Sequence, residues 1–73
     1  MMSPEEFLAL AGKLVFLSPE ALSLDTTLES INWDSLVNMS FIAEVDEHLG
    51  KEVNADDLFD SKTLGDVYRL VAN

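Results

Sequence analysis

The chain reads as all-α: a bundle of three longer helices and one short helix, with a long loop between the first two. Three observations predict this. Apolar residues recur at helical spacing in three separate stretches. Cap and stop residues punctuate those stretches. No stretch alternates as a strand does, and no internal repeat is present.

The first helix opens at Ser3-Pro4-Glu5-Glu6. Ser3 caps, Pro4 suits the first helical position, and Glu6 completes a capping box. Phe7, Leu10, Ala11 and Leu14 supply its apolar face. Ser18-Pro19 ends it, because proline disfavours helical geometry in the residue before it. The expected span is about 4–16. Residues 17–34 form the long loop, which Leu17, Leu22, Leu24, Leu28 and Ile31 are expected to pin to the core. The second helix spans Ser35 to Leu49, with Gly50 as its stop. Asn54 caps a short helix over 55–59. Thr63 caps the last helix, with Asp66 near its positive end and Leu64, Val67, Tyr68, Leu70 and Val71 on its apolar face.

Length and charge narrow the function. Seventy-three residues make one domain, 1–73. A single core of this size supplies roughly 3–5 kcal/mol, which leaves little room for a deep catalytic pocket. Fourteen acidic residues face Lys13, Lys51, Lys62 and Arg69, for a net charge of −10. That balance opposes nucleic-acid binding, which needs a basic footprint. It suits partners with basic docking patches, although acidity also serves solubility. With no cysteine there is no disulfide and no encoded thiol. No apolar run reaches membrane-span length and no signal peptide is visible, so a cytoplasmic monomer without membrane insertion is expected.

Asp34-Ser35-Leu36 is the stretch that carries chemistry. Ser35 opens a helix, where free N–H groups and the positive dipole end favour an attached phosphodiester. Asp34 puts a carboxylate beside the hydroxyl. The same pair has a plain reading as helix caps. In the second helix, seven of the ten residues from Leu36 to Val45 are apolar. A 100° advance puts Phe41, Ile42, Val45 and Leu49 on one face, expected to be core. Asn38 points toward that side and needs hydrogen-bond partners. Leu36, Met39 and Ala43 fall on the other face near Asp46 and Glu47, an apolar spot rimmed by acids. Trp33 either packs the loop against the helix start or faces partners.

The triplet, the preceding loop, the helix order and the acidity together resemble the acyl carrier protein family over about residues 3–72. The resemblance implies a 4′-phosphopantetheine arm on Ser35, with Asp34 helping to hold the transferase's magnesium ion. It implies a non-enzymatic carrier of acyl or aminoacyl cargo as a thioester. Its partners would be a phosphopantetheinyl transferase, an acyl- or aminoacyl-loading enzyme and downstream synthases. Leu36, Met39, Ala43, Asp46, Glu47 and Trp33 are the expected partner contacts. Phe41, Ile42, Val45, Leu58, Phe59 and Tyr68 either shelter cargo or simply form the core. Three departures stand out, one of them Trp33 directly before Asp34, where smaller or aliphatic residues are common in the family. Asn32 occupies a position that is often glycine in the family. Val37 and Ser40 stand where primary fatty-acid carriers are often acidic, which leans toward a specialised pathway: polyketide, fatty-acid-like or non-ribosomal peptide.

Other sites are weak. His48 has no cysteine partner for zinc and suits the negative end of its helix. Asp56, Asp57 and Asp60 miss the EF-hand spacing. No metal or catalytic residue is expected. The alternative function is an unmodified acidic helical interaction module docking through Leu36, Met39 and Ala43.

Overall fold

Ser3 folds its hydroxyl over the first turn of α1, Pro4–Val15, and the Glu6 carboxylate returns to the Ser3 N–H. This reciprocal cap is what the sequence predicts. The computed structural model describes residues 2–72. After α1 come two 3-10 turns, Pro19–Ala21 and Glu29–Ile31, then α2, Ser35–Leu49. The short α3, Ala55–Phe59, and α4, Leu64–Val71, complete the chain. No strand occurs among the described residues, only an isolated antiparallel bridge between Thr27 and Thr63.

That bridge explains why so long a loop is ordered. Leu28 N–H donates to the Lys62 carbonyl, and Leu64 N–H returns to the Thr26 carbonyl, each at 2.9 Å. Gly65 N–H reaches the Leu24 carbonyl at 2.7 Å. A Cβ on Gly65 would lie 2.9 Å from that oxygen, so only glycine allows the approach. Leu22, Leu28 and Ile31 anchor the loop in the core, and Leu24 is half-buried. Leu17 departs from expectation and is exposed. It gives its backbone to the fold: its N–H bonds the Gly12 carbonyl, and its own oxygen would sit 2.4 Å from a Cβ on Gly12.

Phe7 and Ala11 of α1, Phe41 and Val45 of α2, Leu58 of α3, and Leu64, Val67 and Val71 of α4 form the core. Four aromatic rings cross it in a chain. Trp33 lies 5.7 Å from Phe41, Phe41 lies 6.0 Å edge-on from Phe7, and Phe7 lies 5.2 Å from Tyr68. Such pairs contribute about 0.5–1.5 kcal/mol each beyond area burial. Tyr68 donates its hydroxyl to the Met2 carbonyl, joining the start of the chain to α4.

Gly50, Asn54 and Thr63 act as the sequence predicts. Gly50 ends α2 in the left-handed region at φ 62°. Asn54 Oδ1 accepts from Asp57 N–H. Thr63 and Asp66 form a second capping box, in which the Asp66 carboxylate accepts from both Lys62 and Thr63 N–H. Three core expectations need correction. Leu49 is exposed, because α2 ends there and Val53 in the connector is buried instead. Ile42 is only half-buried, since the core face of α2 centres on Asn38, Phe41 and Val45. Phe59 is exposed, because a five-residue helix buries one side, and that side holds Leu58.

Candidate functional site

Two consecutive residues set the approach to Ser35. Asn32 takes a left-handed conformation, φ 57° and ψ 40°, where the 3-10 turn ends. Asparagine is among the few residues besides glycine that adopt this region readily. The glycine that often stands here is therefore replaced by the side chain best able to keep the bend. Trp33 then turns inward and is 8 % exposed. Its indole N–H donates to Asn38 Oδ1 at 2.5 Å, satisfying both buried polar groups. Asn38 thus has the partner its position demands. Trp33 is corrected as a partner contact: it is a packing residue that clamps the loop to the first turn of α2.

Asp34 caps α2. Its Oδ1 accepts from Val37 N–H at 3.0 Å, and its carbonyl accepts from Asn38 N–H. Its second carboxylate oxygen makes no hydrogen bond or ion pair with the described residues. Ser35 is the first helical residue and is exposed. Because Asp34 performs the capping, the Ser35 hydroxyl is left without a partner among the described residues. The N–H groups of Ser35 and Leu36 precede the helical ladder and have no acceptor there either. An exposed hydroxyl, two unpaired N–H donors and the positive end of a 15-residue helix suit a phosphodiester. The donor set therefore fits the group that the sequence resemblance implies.

The exposed face of α2 is as the spacing predicts. Leu36 is 75 % and Met39 60 % exposed, and Ala43, Asp46 and Glu47 are exposed as well. The structure divides them between two grooves. Met39, Ala43 and Asp46 line one of about 330 Å³, together with Ile42 and Glu52. Leu36 lines another of about 520 Å³, toward the end of α1, with Asp34 and Val37. Glu47 lines neither. That second groove and the part of α1 in it were not legible from helical periodicity, because they depend on how two helices meet. His48, in the last turn of α2, sits 3.1 Å from the Glu44 carboxylate. No cluster of metal-ligating side chains occurs among the described residues. No helix among them is long and apolar enough to cross a membrane.

The model of the phosphopantetheine attachment site family matches residues 5–71, nearly the whole chain. No curated protein and no solved structure matches it. Members of such carrier families are typically non-catalytic and work with a phosphopantetheinyl transferase and with synthases. With an all-helical bundle around an exposed serine at a helix start, and a family match over this span, the chain belongs to the phosphopantetheine attachment site family, as a carrier protein of the acyl carrier kind whose prosthetic group is 4′-phosphopantetheine.

Proposed function

We propose that Ser35 is the attachment residue and that the chain presents acyl or aminoacyl cargo to partner enzymes without catalysis of its own. The observation that carries this reading is the division of labour at the start of α2. Asp34 caps the helix, and Ser35, one residue on, is exposed with its hydroxyl unengaged. When bound, the group supplies a terminal thiol that holds cargo as a thioester, a thiol this cysteine-free chain does not encode. Asp34 keeps one carboxylate oxygen available to the transferase's magnesium ion while the other holds the helix. Trp33 and Asn38 fix the turn from which the serine projects.

Partner enzymes are proposed to dock on Leu36, Met39 and Ala43, with Asp46 and Glu47 steering basic surfaces toward them. A net charge of −10 supports such steering. Exchange between partners requires modest, fast interfaces, which a small patch supplies. Val37 and Ser40, where primary fatty-acid carriers are often acidic, support a specialised pathway. The family match favours this modified carrier over an unmodified interaction module. The reading is tested by incubating the chain with coenzyme A, magnesium and a phosphopantetheinyl transferase, then mapping the modified peptide by mass spectrometry. The arm is expected on the peptide residue Ser35 and on no other serine. An arm on Ser30 or Ser40 would overturn the assignment.

A further inference from the structure

The chain has no cysteine, so methionine is its oxidisable sulfur. Two methionines lie among the described residues, and burial separates them. Met2 is half-buried against the core, and its carbonyl accepts from the Tyr68 hydroxyl. Met39 is 60 % exposed. It lies four residues after Ser35 on α2. Side chains at that spacing are neighbours on one face of a helix. An enzyme that reaches the Ser35 hydroxyl along α2 therefore covers Met39 in the same approach.

Oxidation would change this position more than its neighbours. A thioether is apolar and adapts its shape to a partner surface. A sulfoxide is polar and chiral, and it disrupts interfaces that rely on methionine. Leu36 and Ala43, the other apolar members of the face, have no such chemistry. Asp46 and Glu52 already make the rim of the 330 Å³ groove polar, so its apolar content rests on Met39, Ile42 and Ala43. Because Met39 stands outside the core, an added oxygen has room in solvent and the bundle keeps its packing.

We propose that Met39 is a reversible oxidation site through which peroxides weaken partner docking. This rests on the reading of Leu36, Met39 and Ala43 as the docking face. In the step, the Met39 sulfur gives two electrons to hydrogen peroxide. The O–O bond breaks, an S–O bond forms, and one water leaves. Reduction by a dithiol reductase returns the thioether and yields a disulfide and water.

The test treats the chain, before any arm is attached, with dilute hydrogen peroxide, and then removes the peroxide with catalase. Coenzyme A, magnesium and a phosphopantetheinyl transferase follow, so the thiol of coenzyme A never meets the oxidant. Peptide mapping is expected to find oxygen on Met39 ahead of Met2. The circular-dichroism melt is expected to stay where it was. KM for arm attachment is expected to rise about tenfold with kcat kept, the scale of losing one buried methionine side chain. Methionine sulfoxide reductases of both epimer specificities are expected to reverse the rise. Met39→Leu, compared with its own untreated form, is expected to show no peroxide effect. Oxygen on Met2 ahead of Met39, a lowered melt, an unchanged KM, or an equal loss in Met39→Leu would overturn the proposal. Met39→Glu separates it from the docking reading. If Met39→Glu slows attachment but the native chain is insensitive to peroxide, the oxidation site alone fails. A full-rate Met39→Glu removes the docking face and this proposal with it.

Discussion

Asn38→Ala tests the foundation of the site. Asn38 Oδ1 is the acceptor for the buried Trp33 N–H at 2.5 Å, and both residues are buried. The variant leaves that N–H without a partner, at a cost of about 1–3 kcal/mol. The total for a core this size is only roughly 3–5 kcal/mol, so the loss is a large share. In a domain this small each kcal/mol lowers Tm by about 4–8 °C. A fall of at least about 4 °C is therefore expected in a circular-dichroism melt. Trp33 is the only tryptophan, so its fluorescence reports the same site. Emission should shift to the red as water reaches the indole. In the Trp33→Phe background there is no N–H to strand, and Asn38→Ala should cost less by about 0.5–3 kcal/mol, the usual range for contacting pairs. An unchanged Tm, or full additivity of the two substitutions, would refute the claim that this bond holds the loop to α2.

Four further outcomes are expected. The Asp66 carboxyl is held below its ordinary range by N–H donation from Lys62 and Thr63, with Arg69 nearby. A depressed carboxylate contributes stability above its unfolded pKa and loses it as pH falls through the folded one. The Tm gap between the native chain and Asp66→Asn should therefore be open at neutral pH and close in acid; a gap independent of pH contradicts this. Added sodium chloride should raise Tm, because it screens self-repulsion among exposed acids over about 8–10 Å; a flat or falling Tm counts against it. Met39→Glu should leave the fold intact and weaken cargo transfer, since Met39 is exposed. Lysine at Asp46 and Glu47 should slow partner association more at low salt than at high. A melted Met39→Glu variant, or a salt-independent effect, would remove this face from docking.

Helix limits were legible because local chemistry sets them. Ser3-Pro4, Gly50, Asn54 and Thr63 act on groups within a turn of themselves. The Ser35 position followed from the same signals. What was not legible depends on distant partners. The Thr27–Thr63 bridge joins residues far apart in sequence, and no short-range pattern announces it. Trp33 reads equally well as packing or interface until Asn38 and Phe41 are seen around it. Phe16 counts as one more apolar residue near a helix end, yet its backbone turns it out of the core. Leu49 and Ile42 share a helical stripe with Phe41, but neighbouring elements cover that stripe unevenly.

The central claim is that Ser35 carries the arm. Intact-mass spectrometry of the native chain and Ser35→Ala, each treated with coenzyme A, magnesium and a transferase, tests it most directly. Asp34 supplies the cap and the Ser35 hydroxyl bonds no described residue, so the alanine variant should melt like the native chain. The native chain should gain one phosphopantetheine mass and the variant none. A folded Ser35→Ala chain that still gains the mass, or a native chain that never does, would contradict the account.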